Sequence, residues 1–204
     1  MARSIAKDHD QKRLNILTAA ADVFAQEGIA RASMAEVAKR CGISKANIYH
    51  YYASKDALLF DILDTYLSKL RDRIVDLPLQ ELSSEQKLHR ILQEFLFAYE
   101  GMDSEHKIQT EGLPLLDTEA QTILKNYQRE MVSLVETVLA DLLPPNGAKN
   151  NAQLRDITMS VFGMLNWFYV WNSKADQSVR ERYAHTIAEL TLNGVKAFEM
   201  KPET

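Results

Sequence analysis

The chain has 204 residues, 46% of them hydrophobic and 25% charged, which is typical of a globular protein with a substantial core. Its single cysteine excludes an internal disulfide bond and fits a reducing compartment, so we expect a cytoplasmic protein. The first residues are mostly polar, and no apolar run approaches the roughly 18 residues that would span a bilayer. We therefore expect no signal peptide and no membrane partner.

The formal net charge of −4 hides an uneven distribution. Residues 1–55 contain nine lysines and arginines against five acidic residues, whereas residues 56–204 contain fifteen against twenty-three. Binding to phosphates needs positive charge at the contact surface only, so the acidic remainder does not exclude it. We predict a nucleic-acid-binding domain at 1–55, with a helical core over 10–54, and a second domain at 56–204.

Residues 33–55 have the pattern of two short helices joined by a tight turn. Ser33 and Glu36 fit a capping box at the start of the first helix, and Gly42 supplies the left-handed residue that ends it. Ser44 is the N-cap candidate of the second helix. The pattern predicts a helix-turn-helix unit whose second helix enters the major groove of DNA.

The second helix of this unit turns Ile48 and Tyr52 inward, at a spacing of four residues. The side chains predicted to reach bases or the groove wall are Lys45, Asn47 and Tyr49, with Ala46 beside them. Those predicted to contact phosphates are Ser33, Ser44, His50, Tyr51 and Lys55. Cys41 lies on the inner side of the first helix, where a small buried hydrophobic residue fits better than a redox-sensing thiol.

Over Arg13–Tyr66 the sequence resembles the TetR/AcrR family of bacterial transcriptional regulators. The resemblance is strongest in the run Gly-Ile-Ser-Lys-Ala-Asn-Ile-Tyr-His-Tyr-Tyr at 42–52 and in Ser-Lys-Asp at 54–56. It implies an all-α protein with an N-terminal three-helix DNA-binding domain and a C-terminal helical bundle for ligand binding and dimerisation. The implied partners are a palindromic operator in double-stranded DNA, a small-molecule effector and a second copy of the chain.

The rest of the chain also predicts helices, because apolar residues recur at helical spacing and no segment alternates as a strand would. The predicted helices cover 56–75, 83–101, 103–111, 117–143, 152–172 and 176–200. Residues 159–172 are apolar nearly all round. Two interpretations remain open for this segment: a core and dimer helix in which Gly163 allows close approach, or a helix that lines a ligand cavity.

A narrower resemblance concerns Gly163–Trp171, which is similar to a segment of the acyl-CoA-responsive members of the family, and the whole chain looks most similar to repressors of phenylacetate catabolism. It implies release from DNA by an acyl-CoA, with phenylacetyl-CoA as the leading candidate. The side chains expected to line the pocket are Phe95, Tyr99, Tyr127, Phe162, Asn166, Trp167 and Trp171. Those expected to meet the CoA phosphates are Lys87, Arg90, Lys125 and Arg129.

By the same resemblance the last two helices form a four-helix interface with their counterparts in the partner. The predicted interface stripe consists of Val179, Tyr183, Ile187, Leu190, Gly194 and Phe198. Little chain remains to cover these residues, so a partner is expected to bury them.

Enzymatic interpretations find little support in the sequence, which contains no Gly-rich phosphate loop, no nucleophile elbow and no Glu-x-x-His pair. Glu181, His185 and Glu189 share a helical face, but no further Cys/His cluster accompanies them, and a solvated face fits better than a metal site. We predict a non-enzyme without cofactor or metal. The alternative function is a helical acyl-thioester-binding protein without a transcriptional role.

Overall fold

The computed structural model describes residues 2–143, 151–172 and 174–197. Within these residues the secondary structure consists of α-helices and one short 3-10 helix, Leu113–Leu115, without strands, which confirms the predicted all-α fold. The α-helices are α1 (Ala2–Glu27), α2 (Met34–Arg40), α3 (Lys45–Tyr51), α4 (Lys55–Val75), α5 (Ser84–Ala98), α6 (Asp103–Gly112), α7 (Thr118–Leu142), α8 (Asn151–Asn172) and α9 (Gln177–Ala197).

Most helix ends lie within one or two residues of the predicted positions because local side chains fix them. Ser83 caps α5, and its hydroxyl and the Gln86 side chain form a capping box like the one predicted at Ser33. The first helix differs, since α1 begins at Ala2 and not near residue 10. No helix in the described part of the chain is long and apolar enough to cross a membrane.

Contacts divide the chain into two compact units. Unit 1 contains the residues up to Ser68 together with Ser104–Asn126, and unit 2 contains Lys69–Asp103 and the residues from Tyr127 onward. Helices α4 and α7 each contribute residues to both units.

The core of unit 1 forms where α1, α2 and α3 meet the start of α4. Phe24 of α1, Val37 of α2, Ile48 of α3 and Leu58 of α4 are all fully or almost fully buried. The C-terminal end of α6 approaches this core closely, because a side chain at Gly112 would meet Ile29 and Leu59 methyl groups at 3.1 Å. The short helices α2 and α3 therefore rest on a continuous apolar base.

Unit 2 is built mainly on the packing of α5 against α9, with α8 against both. The inner sides of these three helices consist of Leu88, Ile91, Leu92, Phe95 and Leu96 of α5, Val161, Phe162, Leu165 and Phe168 of α8, and Ala184, Ile187, Ala188 and Val195 of α9. Arg180 lies at one end of this core, almost fully buried. It donates from Nη1 to the Leu96 carbonyl oxygen at 2.9 Å and from Nε to that of Ala175 at 3.1 Å, so hydrogen bonds satisfy part of the guanidinium.

Candidate DNA-binding site and ligand-binding domain

The α2 helix is fixed at both ends by the predicted residues. The Ser33 hydroxyl accepts a hydrogen bond from the Glu36 backbone N–H at 3.3 Å, and the Glu36 carboxylate accepts one from the Ser33 N–H at 2.8 Å. The Ser33 hydroxyl also donates to this carboxylate at 2.8 Å, and the hydrogen bonds that the Ser33 hydroxyl and N–H donate to it lower the pKa of Glu36 below its ordinary value. Gly42 has a φ of 68°, the left-handed conformation that the turn between α2 and α3 requires.

The α3 helix presents a continuous polar and aromatic surface. Its N-cap, Ser44, accepts a hydrogen bond from the Asn47 backbone N–H at 3.1 Å, while Ile48 is fully buried and fixes the helix to the core. The outward positions Lys45, Ala46, Asn47, Tyr49 and His50 are all exposed. A seven-residue helix that is capped, anchored by one apolar residue and polar outside has the geometry of a recognition helix.

Two of the predicted phosphate contacts have neighbours that the sequence does not indicate. The Tyr51 ring stacks on His9 of α1, with ring centroids 5.1 Å apart. The Lys55 ammonium donates to the carbonyl oxygens of Ile29 at 2.7 Å, Ala30 at 3.1 Å and Ala32 at 3.2 Å. These bonds use all three hydrogens of the ammonium, so the predicted role of Lys55 is corrected from phosphate contact to support of the loop between α1 and α2.

A partly buried polar network holds the end of α3, and the sequence analysis did not identify it. Asp61 of α4 accepts hydrogen bonds from the Tyr52 hydroxyl at 2.5 Å and from the Arg13 Nε at 2.9 Å, and Arg13 also reaches Thr65 at 3.2 Å. Burial and the contact with Asp61 raise the pKa of Tyr52. One carboxylate thus connects α1, α4 and the residue that ends α3.

Cys41 is half-buried and not fully enclosed as predicted. Burial raises the pKa of its thiol, which disfavours the reactive thiolate. The position therefore favours a packing role, in line with the sequence interpretation.

In unit 2 four of the predicted pocket residues contact one another in a cluster, in which Phe95, Tyr99 and Phe162 are buried and Asn166 is exposed. The Phe95 and Phe162 rings meet edge to face, with centroids 5.5 Å apart, and Phe95 lies 6.1 Å from the Tyr99 ring. The Tyr99 hydroxyl donates to Asn166 Oδ1 at 2.9 Å, and burial raises the pKa of Tyr99. The cluster combines apolar walls with one amide and one hydroxyl.

The other two aromatic residues predicted for the pocket, Trp167 and Trp171, lie on the surface. Their side chains are 64% and 56% exposed, so the prediction that they wall a cavity is wrong for this chain. The helix α8 turns Phe162, Leu165 and Phe168 inward, whereas Trp167 points to solvent and Trp171 lies at the edge of the inner side, with its ring 5.6 Å from that of Phe168. Because apolar residues occupy all sides of this helix, their spacing does not indicate which aromatic residues face inward.

The remaining predicted pocket residues are scattered. Tyr127 is half-buried beneath the Arg71 guanidinium, 5.3 Å from its ring centroid. Arg90 pairs with the buried Glu94 at 3.1 Å, and Arg73 pairs with the same carboxylate. Lys87 is half-buried and Arg129 exposed, both in unit 2. Lys125 belongs to unit 1, where its ammonium donates to Gln121 at 2.8 Å.

The predicted dimer stripe on α9 divides between the inside and the outside of unit 2. Ile187 is fully buried on the inner side of α9 in its own chain, which corrects its assignment to the interface. Leu190 is 61% exposed, and Val179, Tyr183 and Gly194 are half-buried. Phe198 lies outside the described residues.

An exposed apolar surface runs along α8, the helix for which the sequence left both a dimer interface and a ligand cavity open. Met159, Trp167, Val170 and Trp171 are exposed on one side of this helix, and Gly163 lies among them with no atom near its missing side chain. Beside them a groove of about 560 Å³ between α8 and α9 is lined by residues that include Ser160, Met164 and Gly194. We call the four exposed residues, Gly163 and Leu190 the α8–α9 face.

Comparison with protein families assigns both parts of the chain. The family described as bacterial regulatory proteins, tetR family, matches residues 16–62, and the family described as tetracyclin repressor-like, C-terminal domain, matches residues 81–195. Together these matches include α2, α3, α5 and nearly all of α9. The chain therefore belongs to the TetR family of bacterial transcriptional regulators.

Individual relatives agree with this assignment. The HTH-type transcriptional regulator PksA of Bacillus subtilis is 32% identical over 89 residues, which are 44% of this chain and 43% of that protein, so the match spans less than half of either. The crystal structure of a TetR-family transcriptional regulator from Bordetella parapertussis 12822 has a TM-score of 0.81 at 28% identity, covering 94% of this chain and 98% of that one.

A second solved structure shares the fold at lower identity. It is that of AibR in complex with isovaleryl coenzyme A and operator DNA, with a TM-score of 0.72 at 20% identity, covering 88% of this chain and 97% of that one.

Proposed function

We propose that this chain is a homodimeric transcriptional repressor that binds a palindromic operator and is released from it by an acyl-CoA, with phenylacetyl-CoA as the leading candidate. The observation that carries the DNA-binding part is α3, whose outer surface is exposed and polar while its ends and inner side are fixed by Ser44, Ile48 and Tyr52. The fixed geometry lets side chains reach base edges without further ordering of the helix.

Two copies are required because one recognition helix covers only a few base pairs. The α8–α9 face supplies the surface for the second copy. Its large exposed apolar side chains lie together on two neighbouring helices, and a surface of this kind marks an interaction site. In a two-fold dimer the same face is used by both copies.

The effector proposal rests on the cluster of the buried rings Phe95, Tyr99 and Phe162 with the exposed Asn166 at its edge. Aromatic rings can enclose an acyl or aryl group, while the hydroxyl and the amide can bind a thioester oxygen. The rings contact one another, so a ligand has to displace them, and this displacement links binding to a change in the packing of unit 2. Arg73 and Arg90 share one carboxylate, which leaves positive charge for the CoA phosphates.

Two further observations favour a thioester over a free acid. The AibR structure contains isovaleryl coenzyme A, and the segment Gly163–Trp171 resembles that of acyl-CoA-responsive regulators. Since Trp167 and Trp171 face outward, the aryl preference rests on the inward aromatic rings, Phe95 and Phe162 among them.

The proposal is tested by titrating the operator complex, formed with upstream DNA of the chain's own gene, with phenylacetyl-CoA, straight-chain acyl-CoAs and phenylacetate. We expect release by phenylacetyl-CoA at concentrations at which free phenylacetate has no effect, because the acid lacks the nucleotide contacts. Release by the free acid alone would refute the CoA proposal. Release by long-chain thioesters but not by the aryl thioester would assign the chain a fatty-acyl effector.

Base reading by α3 has its own test in Asn47→Ala. We expect a loss of roughly 1–3 kcal/mol in binding to the cognate operator and little change on random DNA, because the exposed amide contacts bases and not phosphates. His50→Ala is the comparison, since His50 is a predicted phosphate contact and the loss of such a contact weakens binding to all sequences alike. Equal losses on both DNAs for Asn47→Ala would remove this residue from base readout.

A further inference from the structure

Three potential metal ligands meet on the surface of unit 2, away from the aromatic cluster. His89 lies on α5, and His185 and Glu189 lie on α9. Their potential ligand atoms are all within 4.8 Å of one another, and no other such group of three occurs among the residues that the structure describes. The His89 Nε2 and a Glu189 carboxylate oxygen are 3.3 Å apart, and the two imidazole rings stack at a centroid distance of 5.3 Å.

The fold brings these residues together through the antiparallel pairing of α5 and α9. Along this seam Gln93 contacts Glu181 at 3.2 Å and Glu85 contacts Lys196 at 3.3 Å, one turn to each side of His89. Among the described residues, the most extensive helix packing in unit 2 is that between these two helices. The backbone that carries the three ligands is therefore held in place before any ion binds, which lowers the ordering cost of binding.

We propose that His89, His185 and Glu189 form a binding site for a divalent transition-metal ion that links α5 to α9. Bonds of about 2.1 Å to nitrogen and oxygen in tetrahedral geometry place neighbouring ligand atoms roughly 3.4 Å apart. The 3.3 Å between His89 and Glu189 already matches such an edge, and rotation of the exposed His185 side chain completes the set. A water molecule fills the fourth position.

The ligand types select the class of ion. Two imidazoles and one carboxylate suit Zn²⁺, Co²⁺, Ni²⁺ or Cu²⁺, whereas Mg²⁺ and Ca²⁺ require oxygen ligands. The sequence pattern of Glu181, His185 and Glu189 on one helical face did not reveal this site, because the second imidazole, that of His89, lies on another helix. In the structure Glu181 is bound by Gln93, one turn away from the cluster.

Bound metal is expected to stabilise unit 2, because an ion that binds only the folded state shifts the folding equilibrium. At a free Zn²⁺ concentration about 100-fold above the Kd, the midpoint of thermal unfolding should rise by roughly 5 °C or more. The site lies outside the helix-turn-helix and the aromatic cluster, so the proposal is independent of operator binding and of the acyl-CoA effector.

The test uses the full chain without a polyhistidine tag, stripped with a chelator and then titrated calorimetrically with Zn²⁺. We expect one ion per chain. With Co²⁺ in its place, the visible absorption should have the intensity of four-coordinate and not of six-coordinate cobalt. Thermal unfolding with and without Zn²⁺ gives the second readout.

Variants distinguish the proposed ligands from their neighbours. His89→Ala, His185→Ala and Glu189→Gln should each weaken Zn²⁺ binding by at least about tenfold, since changes in outer-shell residues alone cost that much. Glu181→Gln, on the same seam, should leave the affinity and the cobalt spectrum unchanged. Without metal, circular dichroism should show all four variants folded.

Unchanged Zn²⁺ affinity in His89→Ala or His185→Ala would overturn the proposal, as would a six-coordinate cobalt spectrum that the substitutions do not alter. A loss in Glu181→Gln as large as in Glu189→Gln would also overturn it, because the ligands would then lie along α9 alone.

Discussion

The three hydrogens of the Lys55 ammonium can bind either the loop between α1 and α2 or a DNA phosphate, but not both at once. Its ammonium donates to three loop carbonyls at 2.7–3.2 Å. We expect Lys55→Met to lower the free energy of unfolding by roughly 1–3 kcal/mol, because partly buried carbonyl oxygens lose their donors. The slope of log K against log salt for operator binding should stay unchanged. Urea unfolding and binding at several salt concentrations measure the two effects.

Lys45→Ala provides the control, since Lys45 is exposed on α3. This change should leave the free energy of unfolding within about 0.5 kcal/mol and reduce the salt slope, because it removes a positive charge from the predicted groove surface. If Lys55→Met also reduces the slope while stability is unaffected, Lys55 contacts phosphate after all.

The Glu36 carboxylate gives α2 a dependence on pH. Hydrogen bonds from Ser33 lower its pKa from the ordinary value of 4.5. A carboxyl group whose pKa is lower in the folded than in the unfolded state contributes stability above its unfolded pKa and loses it as the pH falls through the folded pKa. We expect the stability difference between wild type and Glu36→Gln to shrink as the pH is lowered from about 6 to about 3. Urea midpoints over this range measure it.

The capping box of α5 provides a control in the opposite direction, because Gln86 occupies there the position that Glu36 has in α2. Gln86→Glu should introduce a similar pH dependence into a chain whose Glu36 is unchanged. A constant difference between wild type and Glu36→Gln at every pH would show that the capping carboxylate does not titrate in this range.

The sequence predicted residues whose hydrogen bonds reach positions nearby in the chain. It did not predict residues whose hydrogen bonds join distant elements. Ser33, Gly42 and Ser44 fix helix ends through bonds to positions three or four residues away, so their pattern is visible in the sequence. Asp61 works through Arg13 and Tyr52, which lie on other elements. Nothing in the spacing of such residues indicates that one carboxylate serves both.

The helices show the same contrast. The bounds of α5 and α7 follow from their caps and periodicity, whereas the orientation of α8 does not, because apolar residues occupy all its sides. Of the two interpretations that the sequence left open for this helix, the exposed tryptophans favour the dimer interface.

Gly163 tests whether a partner helix packs against α8. A methyl group at this position meets no atom within 4 Å in its own chain, so Gly163→Ala should stabilise an isolated chain by about 0.5–1 kcal/mol. Against a closely packed partner the same methyl group is excess volume, which weakens the dimer by roughly tenfold. Sedimentation measures the Kd of the dimer. Urea unfolding measures the stability of the isolated chain when Gly163→Ala is introduced into a chain made monomeric by Leu190→Glu.

We therefore expect Gly163→Ala to stabilise the isolated chain and to weaken the dimer. A dimer as tight as wild type in Gly163→Ala would mean that the partner helix does not approach at this position. A destabilised monomer would mean that the side of α8 around Gly163 is covered within its own chain.

Substitutions at two residues of α9 distinguish the assembly of the dimer from the folding of each chain. Leu190 is 61% exposed and Ile187 is fully buried, although the two are only one turn apart. We expect Leu190→Glu to yield a folded monomer without operator binding, because a single copy contacts one half-site and two are needed for affinity. Ile187→Asp should instead unfold unit 2, since it places an unpaired carboxylate in the core.

Light scattering, circular dichroism and a gel shift distinguish these outcomes when applied to both variants and to Thr137→Glu. The control adds the same charge at an exposed position on α7 and should remain a dimer that binds the operator. If Leu190→Glu also remains a dimer, the α8–α9 face is not the interface, and the exposed tryptophans of α8 need another partner. If it becomes a monomer that still binds one half-site with the affinity of wild type, dimerisation does not supply the affinity for DNA.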